Sequence, residues 1–157
     1  MLEEAKSYKY LGVFLNRRLQ DSTHIDYIDA KATKLDSYIR YTLSLHSDIN
    51  RVDFGNSIWN KAALPSLRHA SGIWFNKSKA SSDKLLSAQY KCGKAVLKLR
   101  SKPARVAIRM ELGWLPITDE LDMSRIAYFN YLQSLDDNRL SKQIFNQLLE
   151  LHNEGTE

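Results

Sequence analysis

Apolar residues recur along most of this chain at spacings of three and four, the period of one buried face of an α-helix. Ile25, Ile28, Ala32, Leu35, Ile39 and Thr42/Leu43 form the longest such stripe. They predict an amphipathic helix from about Thr23 to Leu45, with Asp21-Ser22-Thr23 supplying capping oxygens and His46-Ser47-Asp48 ending it. Val52, Phe54, Ile58, Trp59, Ala62 and Ala63 predict a second helix from near Arg51, capped by Asp48 or Asn50. Pro65 lacks the N–H that a helix interior uses, so a kink is expected there. The pattern resumes at Leu67, Ala70, Ile73 and Trp74, and the kinked helix is expected to end near Phe75. Asn76 to Ala80 reads as a polar, basic connection.

Ser81-Ser82-Asp83 opens a third helix with Leu85, Leu86, Gln89, Tyr90, Gly93, Val96 and Leu97 inward. A glycine inside a helix costs about 1 kcal/mol against alanine, so Gly93 is expected to serve a close helix–helix approach. Ser101-Lys102-Pro103 stops this helix and starts a short fourth one, Pro103 to Glu111, with Pro103 in the first turn. Gly113-Trp114-Leu115-Pro116 is a turn or loop. Thr118 or Asp119 then caps a fifth helix with Leu121, Ile126, Phe129, Leu132 and Leu135 inward; Asp136-Asp137-Asn138 breaks the pattern before a last helix, Leu140 to Leu151. Only Tyr8 to Leu15 departs from the helical period. Its aromatic and β-branched residues read as a strand with Gly12 in its interior, half of a hairpin ending near Asn16-Arg17. The fold expected is mainly α, a bundle of five to six helices behind a short N-terminal strand or hairpin. Its segments are 1–20, 21–100 and 101–157.

Composition narrows the function classes. The single cysteine, Cys92, excludes an intrachain disulfide framework and a four-cysteine metal site, and a reducing compartment, nuclear or cytoplasmic, is expected. No apolar run approaches the roughly 20 residues that span a bilayer. The net charge of +5 is unevenly spread. Residues 1–76 hold ten Lys/Arg and eight Asp/Glu, residues 77–110 hold ten and one, and residues 111–157 hold three and nine. The middle segment thus carries more than the whole net charge, which is the electrostatic footprint expected of a phosphate-binding surface.

Lys84, Lys91, Lys94, Lys98, Arg100, Lys102, Arg105 and Arg109 occupy this segment with Asp83 as its one acid. Separations of seven, three and four place Lys84, Lys91, Lys94 and Lys98 on one helical face, where they repel unless neutralised. A nucleic-acid backbone would neutralise them with release of counterions; a solvated face is the plainer alternative. Trp59, Trp74 and Trp114 are expected in the core, and His24, His46, His69 and His152 have no metal-ligand spacing to one another or to Cys92. Cys92 has no histidine partner and reads as inert. Neither a nucleophile elbow nor a glycine-rich phosphate loop occurs.

Tyr8-Lys9-Tyr10-Leu11-Gly12-Val13-Phe14-Leu15 resembles the hairpin that closes the palm of non-LTR retrotransposon reverse transcriptases. Three further stretches follow in the order and spacing of that family. Ala62-Ala63-Leu64-Pro65 through Trp74 resembles its proline-containing apolar helix. Ser87-Ala88-Gln89 through Leu97 resembles its glutamine-x-x-x-leucine-arginine helix, and Glu111-Leu112-Gly113-Trp114-Leu115-Pro116 its glutamate-leucine-glycine-x-x-proline motif. The resemblance covers about residues 8 to 135. It implies a helical thumb and linker gripping an RNA/DNA or DNA duplex by backbone charge and shape, with Tyr10, Leu11, Gly12 and Val13 positioning the primer end beside a polymerase palm.

The family's magnesium-binding aspartate pair has no counterpart here, since Asp136-Asp137 follows a helix without the aromatic-alanine lead-in. Its cysteine–histidine knuckle is missing as well. No catalytic residue, no metal ligand and no cofactor are therefore expected in this chain, and polymerase activity is not expected of it. The competing expectation is a helical protein-interaction domain, in which the opposed charges of the middle and last segments pair with each other or with a partner. An exposed strand edge at Tyr8–Leu15 would also invite pairing with a second copy.

Overall fold

The computed structural model describes residues 7–10, 12–16, 22–46, 48–74 and 78–154. Leu11, Arg17, the Asp21 cap, Ser47, Phe75 and the Asn76-Lys77 connection lie outside the described residues, as does the Trp74 side chain. The chain is mainly α, a helical bundle behind a short antiparallel hairpin, as its periodicity requires.

Strands β1 (Ser7–Tyr10) and β2 (Val13–Asn16) pair antiparallel, with Tyr10 opposite Val13 and Ser7 opposite Asn16. The octamer is therefore both arms of the hairpin rather than one strand of it. Gly12 is in the turn, not in a strand interior, and its φ of 88° is the left-handed backbone that glycine adopts without steric cost. A two-stranded hairpin is marginal alone, and this one leans on α1 (Ser22–Leu45). Val13 is buried, Phe14 tilts against Tyr27 at 5.1 Å, and the Phe14 N–H donates to His24 Nδ1 at 3.3 Å.

Helix α2 (Arg51–Ile58) starts on Asn50, whose side chain accepts from the Val52 and Asp53 N–H groups. Its helical backbone runs on past Pro65 to Arg68. It widens into a π-helix over Trp59–Ala63, where the Leu64 N–H reaches the Trp59 carbonyl, and continues as α3 (Leu64–Arg68). The proline ring would crowd the carbonyl four residues back, and one wide turn before it removes that clash. The real break comes at His69 and Ala70, with Ala70 at φ 54°, before the single turn α4 (Ser71–Trp74).

Helix α5 (Lys79–Val96) begins two residues earlier than its sequence suggested, because Ser78 caps it by accepting from Ser81 N–H. It also ends earlier, at Val96 and not at Ser101–Pro103. Lys98 takes a φ of 53°, its N–H bonds Ala95 O at 3.2 Å, and Leu99 N–H bonds Lys94 O at 3.1 Å. This pair of reversed bonds closes a helix C-terminus, normally with glycine at the left-handed position. Both sides of α5 are covered: Leu85, Gln89, Gly93 and Val96 were expected inward, and Ala88, Cys92 and Ala95 are buried as well, on a helix that packs against α1 along its length. A Cβ on Gly93 would fall 2.5 Å from Ile108 Cγ2, so the glycine does permit a close approach, to α6 (Arg105–Leu112).

Pro103 precedes α6 rather than starting it, and Gly113 closes it at φ 67°. Helix α7 (Ile117–Ser134) begins after Pro116 without the expected Thr118 or Asp119 cap. Buried Gln89 does that work instead: its Oε1 accepts from Ile117 N–H at 3.1 Å while its Nε2 donates to Leu115 O at 2.7 Å. Ile117 and Leu121 are fully buried, but Ile126 and Phe129, expected inward, are 60% and 42% exposed. Helix α8 (Leu140–Glu154) rests on α7 through Phe145, which meets Phe129 edge-on at 5.1 Å. One core runs from Val13 to Leu121, with Trp59 and Trp114 stacked at 4.3 Å and the Trp114 indole N–H donating to Asn56 Oδ1 at 2.7 Å. No helix among the described residues is long and apolar enough to cross a membrane.

Candidate nucleic-acid interface

The eight cations from Lys84 to Arg109 separate into three environments. Lys84 and Lys91 project from α5 toward α1. Lys84 Nζ is hydrogen-bonded and ion-paired to Asp26, which holds its ammonium above the ordinary lysine pKa, and Lys91 Nζ lies 3.8 Å from Asp29 Oδ1. Both pairs are largely exposed, so they add little stability. They do neutralise two of the four lysines that sequence spacing put on one face. The neutralising acids come from α1, not from the acidic C-terminal helices.

The second environment surrounds Tyr90. Its hydroxyl donates to Pro103 O at 3.1 Å, fixing the connection into α6. Lys94 Nζ and the Arg105 guanidinium sit 5.8 Å and 5.9 Å from the ring centroid. Arg109, one turn on from Arg105 along α6, lines the same cleft beside Leu86 and Gln89. Each cation beside the ring gains from its quadrupole, yet the charges remain available to an anion. Lys102 is exposed just before Pro103.

The third environment is the C-terminal end of α5. Lys98 is not on the helix face with Lys91 and Lys94, because the chain has already turned through its left-handed φ. With Arg100 it meets two arginines that sequence reading missed. Arg51, the first residue of α2, donates from Nε to Val96 O and from Nη2 to Ala95 O, both at 3.2 Å. Arg40 of α1 is held by Asp36 at 3.0 Å. All four line one surface cavity of about 620 Å³. No local pattern marks Arg40 or Arg51, since they are distant in sequence and only the α1–α5 and α2–α5 packing brings them together. Among the described residues, Lys94, Lys98, Arg100, Lys102, Arg105 and Arg109 have no carboxylate oxygen within 4.0 Å.

The hairpin stands at the other end of α1. Its turn abuts the His69 ring, 3.5 Å from where a Cβ on Gly12 would lie. Tyr8 and Tyr10 are 64% and 57% exposed, whereas Val13 belongs to the core. Lys9 Nζ covers Phe14 and Tyr27 at 5.5 Å and 4.9 Å.

Other chemistry is sparse. The Cys92 thiol is buried, and burial pushes its pKa up to about 12 against the weaker opposing pull of Lys91 and Arg40. Among the described residues no three His, Cys, Asp or Glu side chains cluster to hold a metal ion. An apolar cavity of about 330 Å³ lies between α1, the π-turn and α5, over Trp59 and Leu67. Its buried amide, Gln89, is committed at both ends, and Lys31 in its lining donates to Ser66 Oγ at 3.1 Å. Comparisons of the chain with protein-family models, with curated proteins and with solved structures return no match.

Proposed function

We propose that this chain is a nucleic-acid-binding module that resembles the thumb and linker of a non-LTR retrotransposon reverse transcriptase and holds an RNA/DNA or DNA duplex by its backbone. The observation that carries the reading is the run of six cations, Lys94 to Arg109, without acidic partners among the described residues, on the turn from α5 into α6. Unpaired cations at this density are costly to keep together unless a polyanion meets them. The exposed Tyr8 and Tyr10 at the hairpin suit contact with a strand end, since aromatic faces stack on any base. Recognition would be by charge and shape, with little base readout.

The test compares charge removal at the two kinds of cation. Lys94→Glu, Lys102→Glu and Arg105→Glu together should weaken binding of a 20-base-pair duplex by about 1 kcal/mol per residue, measured by fluorescence anisotropy. Lys84→Gln and Lys91→Gln, whose charges Asp26 and Asp29 already offset, should leave it nearly unchanged. Equal effects of both sets, or of neither, would overturn the assignment.

A second reading, a protein-interaction domain, is favoured by one observation. Leu140, Ile144, Leu148 and Leu151 form a stripe on α8 at spacings of four, four and three, and are 70%, 47%, 60% and 64% exposed. Sedimentation showing self-association that Leu148→Asp abolishes and duplex leaves untouched would support that reading instead.

A further inference from the structure

The cavity at the end of α5 differs from a surface that merely tracks a backbone. It is concave, and its charges come from separate parts of the chain: Arg40 from α1, Arg51 from the start of α2, Lys98 and Arg100 from the turn after α5. None of the residues lining it is acidic. Asp36 touches Arg40 from outside that lining, so four positive charges stand against one negative. Leu43 and Leu99 contribute apolar wall.

Helix electrostatics explain part of this arrangement and leave the rest. Arg51 caps two carbonyls of α5, and Lys98 is favoured at a helix C-terminus by the macrodipole. Neither effect calls for Arg100 or for Arg40 at the same cavity. Nor does it account for a lysine in left-handed backbone, where glycine would serve the fold better. Arg51 spends two of its five N–H donors on carbonyls and keeps the others.

We propose that this cavity binds the terminal phosphate of a nucleic-acid strand, a phosphate monoester. The inference rests on the nucleic-acid reading above and makes it specific for strand ends. A monoester carries close to two negative charges at neutral pH and offers three acceptor oxygens. An internal diester brings one charge and two free oxygens, so it satisfies fewer of four converging cations. A continuous duplex backbone also lies along a surface, whereas a strand end can enter a cavity. Arginine donors suit the oxygens bidentately, and Leu43 and Leu99 suit the terminal sugar.

The experiment compares three otherwise identical duplexes, 5′-phosphorylated, 3′-phosphorylated and with hydroxyl ends only, titrated against the full chain and against Lys98→Gly and Arg100→Gln. Lys98→Gly removes a cation while giving the left-handed position the residue that best fits it, so loss of fold does not confuse the result. One phosphorylated end should bind about tenfold tighter than the hydroxyl duplex, a step expected of two charge-assisted contacts. Each variant should erase most of that preference, beyond any weakening of binding that it causes equally for the hydroxyl duplex. Equal affinity for all three duplexes would overturn the proposal and leave the broader reading standing. If no duplex binds, inorganic phosphate is added alone: movement of the Lys98, Leu99 and Arg100 amide resonances that Arg100→Gln abolishes supports the cavity without the nucleic acid, and unmoved resonances sink both.

Discussion

Burial keeps the Cys92 thiol from ionising, and that has a pH signature. The unfolded thiol titrates near 9.0 and the folded one near 12. Below pH 9 the thiol is neutral in both states and its burial contributes in full. Above it the unfolded chain loses the proton first, so stability falls by about 1.4 kcal/mol per pH unit until the folded pKa is reached. Urea unfolding of the wild type and Cys92→Ala at pH 9 and pH 10 should show the wild type losing about 1 kcal/mol relative to the variant, since pH 9 is the midpoint of the unfolded thiol; a constant difference would contradict the buried thiol. Ser71 gives a second residue-scale test. It is 1% exposed and its Oγ has no hydrogen-bond partner among the described residues. Desolvating a hydroxyl without compensation is unfavourable. Ser71→Ala should therefore stabilise the protein by about 0.5–1 kcal/mol in thermal unfolding, and a loss of more than 1 kcal/mol would mean the hydroxyl is satisfied after all.

Between elements, the joins matter more than the rods. Gln89 ties α5 to the start of α7 through two backbone groups that have no other partner among the described residues. Gln89→Met keeps the shape and strands both groups, so it should cost about 2–3 kcal/mol in denaturant midpoint measurements. Gly93→Ala should lose about 1–2 kcal/mol despite the better helix propensity of alanine, because its Cβ meets Ile108.

The sequence made the rods legible because their apolar residues repeat at the helical period, as Ile25 to Leu43 do in α1. The joins were not. Ser78 rather than Ser81 caps α5, and a π-turn absorbs Pro65. Lys98 ends α5 in a conformation that lysine seldom adopts, and nothing in local propensity announces it. For the same reason half of the site was out of reach. The basic run of residues 77–110 is visible in the composition. That Asp26 and Asp29 neutralise Lys84 and Lys91, and that Arg40 and Arg51 join Lys98 and Arg100, depends on the packing of α1 and α2 on α5. On α7 the apolar period overstated burial, since Ile126 and Phe129 continue the pattern on a side the bundle leaves open.

At the scale of the whole molecule, charge is segregated along the chain and only partly paired in space. Six cations without a carboxylate partner among the described residues lie where α5 ends and α6 begins, and the apolar stripe of α8 lies on the acidic C-terminal part. A surface that meets phosphates releases counterions, whereas one that meets protein through α8 does not. Salt dependence therefore separates the two readings at once. The deciding measurement is the affinity of the full chain for a 20-base-pair duplex between about 50 and 200 mM monovalent salt. The six unpaired cations should give log affinity against log salt a slope between about −3 and −5, near −0.9 for each phosphate contacted. A slope indistinguishable from zero, or no binding at the lowest salt, would contradict the account.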